Sequence, residues 1–209
     1  MTDFSDFTTQ IAEWCNRQDW SSTLVASFVR MAEQKMNQEM RISRMITMAE
    51  NTVTCRCSTL PDDWLESDLV LMASDQVPGG WKPIRYKSRD EFFKLPDKWS
   101  CNHYTVEGRT LFFGGTPDET EGRAFQLYYF QEVPVFSDTI PTSWIYTKYP
   151  SLYLSAALMH AYLHAIGEEG QAAGAKQLTE DTIQKLNNEY NLQKASGSRL
   201  TRTRVRSFG

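Results

Sequence analysis

The chain has 209 residues, 41% of them hydrophobic and 23% charged, which is typical of a folded globular protein and excludes a disordered one. Its formal net charge of −4 gives no general reason to expect affinity for nucleic acid or membranes. The N-terminus is acidic where a signal peptide would be basic, and the apolar run from Leu152 to Ile166 is too short to span a bilayer. We therefore expect a cytoplasmic protein of one large or two small domains, with its four cysteines reduced.

Two amphipathic helices are predicted at the start of the chain. The first carries apolar residues at helical spacing, namely Phe4, Phe7, Ile11 and Trp14. The second has Ser21 or Ser22 as its N-cap and continues to about Arg44. Because only a short polar connection separates them, the two helices are expected to form an antiparallel pair.

A β-rich block follows, in which β-branched and aromatic residues alternate with polar ones. The pattern predicts strands at residues 45–58, 65–72, 82–86, 103–106, 110–113 and 123–133. The sequence Ser88 to Glu91 is a capping box that predicts a short helix over residues 90–94. Gly108 lies in a hairpin turn between the fourth and fifth strands. These elements predict an antiparallel sheet of five or six strands.

The chain then returns to helix. A helix without any charged residue is predicted from Pro150 to Ile166, closed by Gly167, and a longer polar helix is predicted over residues 171–194. The predicted fold class is α+β. It comprises an α-helical bundle formed by the N- and C-terminal helix pairs (residues 1–44 and 142–195), an inserted antiparallel β-sheet domain (residues 45–141) and an extended C-terminal arm (residues 196–209).

Two histidines form a pattern that suggests metal chemistry. His160 and His164 are four residues apart on one helix, a spacing that allows both to bind one metal ion. A small metal-dependent hydrolase is therefore one hypothesis. However, no glutamate follows His160 as in zinc-protease motifs, and on an apolar helix such histidines are more often packing or interface residues. The sequence contains no coherent catalytic constellation, and we expect neither a cofactor nor a resident metal.

The C-terminal arm is rich in arginine and carries no acidic residue. Its candidate contact residues are Arg199, Leu200, Arg202, Arg204, Val205, Arg206 and Phe208. Three interpretations remain open: a disordered terminus, a segment that adds a strand to a partner, and a contact with nucleic-acid phosphates. A nucleic-acid-binding module acting through this arm is accordingly a second alternative function.

Several motifs occur in an order and spacing that resemble a known family. They are the Met/Asn/Arg-rich stretch Ala32–Ile42, the Leu-Pro-Asp-Asp-Trp-Leu-Glu segment Leu60–Glu66, the hairpin Tyr104–Phe113, the Leu-Tyr-Tyr-Phe strand Leu127–Phe130, and the run Pro141–Leu158. In these features the chain resembles the head-to-tail adaptor (connector) proteins of tailed bacteriophages, especially the short-tailed type. The arginine-rich arm lies outside any matched pattern.

The resemblance implies a structural virion protein at the head-tail junction, assembled in the host cytoplasm, that is not an enzyme. It further implies a homo-oligomeric, dodecameric ring that binds the portal protein on one side and a tail or nozzle protein on the other. Genomic DNA would pass through the channel without sequence-specific binding, in packaging and ejection, and no membrane is involved. In such a ring, the helical pairs would form the body, the sheet would face the tail and the arm would reach the portal.

The helix from Pro150 to Ile166 acquires a second interpretation in such a ring. Its small residues suit close helix approach, so its wide apolar surface can face a neighbouring subunit as well as its own core. The residues predicted for this subunit interface are Leu152, Tyr153, Ala156, Ala157, His160, Ala161 and His164.

Overall fold

The computed structural model describes residues 3–74, 80–94, 102–115 and 122–203, the last eight of them by their backbone alone. The chain divides into two compact units. A helical unit comprises Met1–Ser43 and Val133–Gly209, and a sheet unit comprises Arg44–Glu132. The chain thus returns to the helical unit at Val133, whereas the sequence pattern placed this return at residue 142.

The helical unit begins with the two predicted helices. Helix α1 spans Phe4–Trp14 and helix α2 spans Ser22–Glu39. The Oδ1 atom of Asp3 accepts a hydrogen bond from the backbone of Asp6, and Ser21 caps α2 in the same way. The prediction that α2 continues to Arg44 is wrong, because the backbone turns extended immediately after Glu39.

The second part of the helical unit contains a short helix and two longer ones. Helix α4 spans Trp144–Lys148, helix α5 spans Pro150–Ala161, and helix α6 spans Glu169–Thr203. A π-helical turn, Tyr162–Ile166, continues α5, and Gly167 closes it with a φ of +76°. The predicted closure at Gly167 is therefore confirmed. Helix α5 packs against both α2 and α6, so helices from the two ends of the chain share one core.

Helix α6 is longer than the pattern predicted. Its backbone remains helical to Thr203, so the prediction of an extended arm from residue 196 is wrong for residues 196–203. Extending an existing helix adds one hydrogen bond per residue without a new nucleation step, which favours continuation even through polar sequence. Residues 204–209 of the predicted arm lie outside the described residues.

The sheet unit contains seven strands and one short helix within the described residues. In chain order they are β1 Ile46–Thr52, β2 Cys57–Thr59, β3 Trp64–Ala73, β4 Trp81–Tyr86, α3 Arg89–Phe93, β5 His103–Glu107, β6 Thr110–Phe113 and β7 Ala124–Gln131. The strand order is β1-β7-β3-β4-β5-β6-β2. The outermost strands, β1 and β2, are consecutive in sequence and joined by a tight turn, so the sheet is nearly closed.

The predicted strands other than the first are confirmed with small shifts at their ends, and Ser88 caps α3 as expected. Two predictions about the sheet are wrong. The pairing of β4 with β5 is parallel, not antiparallel, because the connection between them crosses over through α3. The strand predicted over residues 45–58 is instead a 3₁₀ turn followed by β1 and β2.

The turn between β1 and β2 requires unusual backbone angles. Thr54 and Cys57 pair across a two-residue turn in which Cys55 has a φ of +51° and Arg56 a φ of +64°. Both angles lie in the left-handed region, which costs a residue with a side chain about 1–2 kcal/mol. Asparagine followed by glycine is the sequence that such a turn favours.

Replacing Cys55 with asparagine and Arg56 with glycine is expected to raise the free energy of unfolding by about 1 kcal/mol, because both residues then tolerate positive φ. Chemical denaturation measures the change. The matched control is Gly108→Ala in the β5–β6 turn, where φ is +59° and open space surrounds the added Cβ. That substitution should lower stability by about 1 kcal/mol. An unchanged midpoint in the double variant would contradict the assignment of strain to this turn.

Candidate functional site

The most unusual group in the helical unit is a buried carboxylate on α2. Glu33 is only 5% exposed, and it lies among the apolar side chains that α2 directs into the core. Its Oε1 atom accepts a hydrogen bond from the backbone N–H of Phe136 at 2.7 Å and another from the hydroxyl of Tyr153 on α5. One carboxylate oxygen therefore ties α2 to α5 and to the segment that precedes α4.

The electrostatics of this contact keep the tyrosine as the donor. Burial is the largest effect on Glu33 and raises its pKa, against the hydrogen bonds from Tyr153 and Phe136 and the charge of Arg30, which lower it. Burial, followed by the nearby Glu33, raises the pKa of Tyr153. The hydroxyl consequently stays protonated and supplies the hydrogen bond that the buried carboxylate needs.

An aromatic cluster surrounds this network. The ring of Phe136 lies 5.2 Å from that of Phe4, 5.7 Å from Phe7, 5.6 Å from Tyr146 and 5.8 Å from Tyr153, measured between centroids. These distances are typical of favourable aromatic pairs. The segment from Val133 to Phe136 therefore belongs to the helical unit, which explains why that unit resumes earlier than the sequence pattern suggested.

Two asparagines fix the end of α2. The Oδ1 atom of Asn37 accepts a hydrogen bond from the backbone of Val133 at 2.7 Å. The side chain of Asn187 on α6 accepts from the backbone of Arg41 at 2.7 Å and donates to the carbonyl of Glu39 at 2.8 Å. Asn187 thus provides hydrogen-bond partners for the carbonyl of Glu39 and the N–H of Arg41, which the end of α2 would otherwise leave unpaired. This gives a physical reason for the helix to stop at Glu39.

Most residues predicted for a subunit interface lie inside the chain's own core. Those with 0% exposure are Leu152, Tyr153, Ala156, Ala157 and Ala161. A side chain without exposed surface in one copy offers none to a neighbouring copy. The interface prediction therefore stays a prediction for the two remaining residues, His160 and His164, of which the second is exposed.

The two histidines are neighbours, as their spacing predicted. Their rings stack with centroids 5.8 Å apart and planes 6° apart. Within the described residues, both ring nitrogens of His160 are buried without a hydrogen bond of normal geometry. Burial, then His164 and then Lys35 lower the pKa of His160, and a weak contact with the Met31 backbone opposes them. His160 is accordingly uncharged at neutral pH.

The described residues contain no group of three or more histidine, cysteine, aspartate or glutamate side chains arranged to hold a metal ion. The predicted arm residues Arg199, Leu200 and Arg202 lie on the helical backbone of α6. The other predicted contact residues of the arm, Arg204, Val205, Arg206 and Phe208, lie outside the described residues. In the part of the chain that the structure describes, no helix is both long enough and apolar enough to cross a membrane.

The buried hydrogen bonds of the helical unit join its helices to one another. Such contacts hold the fold together, as expected in a structural protein. A family model described as SU10 adaptor protein matches residues 2–206. The chain therefore belongs to the SU10 adaptor protein family and is a phage head-to-tail adaptor, which confirms the resemblance seen in the sequence motifs. No curated protein matches the chain.

Sequence reasoning did not identify Glu33, Asn37 or Asn187 as structural anchors. A signal for the first of them was present, because Glu33 lies four residues after Val29 and three before Met36 on the apolar stripe of α2. An acid at such a position needs buried hydrogen-bond donors. The sequence contains no comparable signal for the partners Phe136 and Tyr153, which lie more than one hundred residues away.

Proposed function

We propose that the chain assembles into a dodecameric ring that joins the portal to the tail of a phage and lines the channel through which the genome is packaged and ejected. The match of the adaptor family model over residues 2–206 carries this proposal, because it spans both units of the chain. Portal and tail proteins are the partners that an adaptor of this family implies.

The helical unit is the proposed body of the ring. Several large apolar side chains on its surface are at least half exposed to solvent in a single copy. They are Trp14, Leu163, Leu178 and Leu192. Exposed apolar residues of this kind are suited to contacts between subunits. Leu163 lies between His160 and His164 in sequence, so the end of α5 is the proposed part of that helix to contact a neighbour.

The C-terminal residues are the proposed contact with the portal. The residues assigned to it are Arg199, Leu200, Arg202, Arg204, Val205, Arg206 and Phe208. Residues 191–195 of α6, which precede this segment, are all exposed. The alternative that the arginines contact nucleic-acid phosphates stays a prediction, and duplex binding at two salt concentrations tests it.

Electron microscopy of the purified chain mixed with its portal tests the proposal. The full chain is expected to add a ring to one end of the portal, whereas a chain shortened by residues 196–209 should keep its thermal unfolding midpoint and lose portal binding. Absence of any ring with the full chain would contradict the adaptor-ring proposal. Unchanged portal binding by the shortened chain would contradict only the assignment of the arm.

A further inference from the structure

The nearly closed sheet leaves an open edge on strand β1. Strands β1 and β2 stand at the two ends of the strand order, and within the described residues they pair only at the turn, through Thr54 and Cys57. Continuing that pairing would place Thr52 opposite Thr59, but the N–H of Thr52 donates instead to the side chain of Asn51 at 2.8 Å. The two strands therefore part beyond the turn, and the edge of β1 before Asn51 is not paired with β2.

The strand pairing shows which backbone groups face this edge. The N–H of Val53 donates to the carbonyl of Arg123, immediately before β7, and the β1–β7 register continues from there without a shift. In an antiparallel pair, successive residues direct their N–H and C=O groups alternately toward the partner strand and away from it. The odd-numbered residues of β1 therefore bond to β7, whereas Met48 and Glu50 direct both groups to the open edge. In the part of the chain that the structure describes, these four groups have no hydrogen-bond partner.

A stripe of apolar side chains crosses the outer face of the sheet and ends at the open edge. Tyr128 of β7 lies opposite Met48 of β1 on one side and opposite Leu69 of β3 on the other. Residues directly opposite each other direct their side chains to the same face of a sheet. Met48 is 46% exposed and Leu69 is 38% exposed, so both ends of the stripe are accessible. A strand added beside β1 would lengthen the stripe by one side chain.

The inner face of the sheet has a small cavity at the same edge. Its volume is about 50 Å³, and it lies between Ala49 of β1, Leu60 beside β2, and the core residues Leu111, Phe125 and Leu127. Since a water molecule occupies about 30 Å³ in the liquid, such a cavity can take one small side chain and no aromatic ring. Ala49 lies between the two residues whose backbone groups face the edge. A residue opposite Ala49 in an added strand would therefore point into the cavity.

We propose that the open edge of β1 binds an extended segment of a partner protein as an additional strand. The backbone of an extended segment has donors and acceptors at the spacing of the four edge groups of Met48 and Glu50. Its side chains would alternate, with a larger apolar residue beside Met48 on the outer face and a small one in the cavity opposite Ala49. The main-chain hydrogen bonds would supply affinity, and these two side-chain positions would supply specificity.

The occupant is assigned to a different protein and not to a second copy of this chain. Two identical edges that pair with each other form a two-fold symmetric dimer, whereas a ring needs contacts between two different surfaces of each copy. This choice of occupant rests on the proposed function, but the chemistry of the edge does not.

Fluorescence anisotropy of a labelled peptide with the full-length chain tests the proposal. The probe has a core of three valines alternating with two alanines, flanked by two lysines at each end for solubility. It is expected to bind saturably, with the valines on the outer face. Outward-facing residues lie opposite Met48 and Glu50, so their N–H groups point to β1. N-methylation of two valines should therefore weaken binding at least tenfold, whereas N-methylation of both alanines should change it less than twofold.

Two substitutions in the apolar stripe distinguish strand addition from non-specific apolar adsorption. Met48→Ser should weaken binding of the unmodified probe at least threefold, because it removes the contact beside the added strand. Leu69→Ser removes a similarly exposed apolar side chain two strands away, about 10 Å further from the edge, and should change the affinity less than twofold. Neither substitution changes the net charge, and both variants should keep the wild-type unfolding midpoint.

Three results would overturn the proposal: no saturable binding of the unmodified probe, equal binding of the two methylated probes, or equal loss of affinity in the two serine variants. A wild-type dimer that Met48→Ser dissociates would assign the edge to a second copy and overturn the choice of a partner protein. Ring formation with the portal is measured separately, so its loss with intact peptide binding contradicts only the proposed function.

Discussion

Replacing Glu33 with alanine is expected to lower the free energy of unfolding by about 2–5 kcal/mol, because each buried donor left without a partner costs about 1–3 kcal/mol. The substitution leaves two such donors, the backbone N–H of Phe136 and the hydroxyl of Tyr153. Both lie in the aromatic cluster of the helical unit, so water does not replace the lost acceptor. Chemical denaturation monitored by circular dichroism measures the loss.

The neighbouring residue provides the matched control. Gln34 is exposed on the same helix, so Gln34→Ala is expected to change the stability by no more than about 0.5 kcal/mol. Glu33→Gln should be less damaging than Glu33→Ala, since its side-chain oxygen can still accept a hydrogen bond. Equal stability of the Glu33→Ala and Gln34→Ala variants would contradict the anchoring role of Glu33.

The same carboxyl group gives a dependence on pH. Burial raises its pKa in the folded chain above the ordinary value of 4.5, so the folded state binds this proton more readily than the unfolded state. The resulting contribution to stability is complete below pH 4.5 and is lost as the pH rises through the raised pKa. Glu33→Gln removes this contribution. The difference in unfolding free energy between wild type and this variant should therefore change from pH 4.5 to neutral pH, and parallel profiles would contradict the shift.

Replacing Ala157 with glutamate is expected to have a larger effect still, with a loss of about 4 kcal/mol or more and little folded protein at moderate temperature. Ala157 is 0% exposed on α5, which packs against α2 and α6. A glutamate there adds both volume and an unpaired charge to a closed core. The soluble yield and the thermal unfolding midpoint measure the effect.

Leu163→Glu is the control for that experiment. Leu163 follows α5 in the π-helical turn and is 50% exposed, so the same charge is hydrated there. The variant should unfold within about 0.5 kcal/mol of the wild type. A wild-type midpoint for Ala157→Glu would show that α5 is not the closed core helix described above. Weaker ring formation by the stable Leu163→Glu variant would instead support the proposed interface at the end of α5.

Local signals in the sequence predicted most helices and strands, because caps, periodicity and turn residues act over a few positions. Ser21, Ser88 and Gly167 mark element ends in the structure as they do in the sequence. The pairing of strands β4 and β5 could not be predicted in this way, since parallel pairing depends on a crossover and not on either strand's own pattern. The direction in which such strands pair depends on how the whole sheet is assembled, which no local sequence signal encodes.

The same limit applies to the anchors of the helical unit. The stop of α2 at Glu39 depends on Asn187, which is 148 residues away and lies on a polar helix with two other asparagines nearby, Asn188 and Asn191. Likewise, the pattern of α5 correctly predicted burial, but it could not tell whether another helix of the same chain or a second copy covers the surface. The structure shows that α2 and α6 cover much of it.

The way in which the sheet unit is inserted has a consequence for how such a protein can diversify. Ile46, at the start of β1, pairs directly with Phe130, near the end of β7, so the entry and exit of the unit are about 5 Å apart. The sheet of this unit is nearly closed by its own strand pairing, and the unit has its own apolar core. A segment with adjacent ends and an independent core can be exchanged, lengthened or resurfaced while the helical unit keeps its contacts. Sequence changes inside the sheet unit therefore need not disturb the buried contacts of the helical unit.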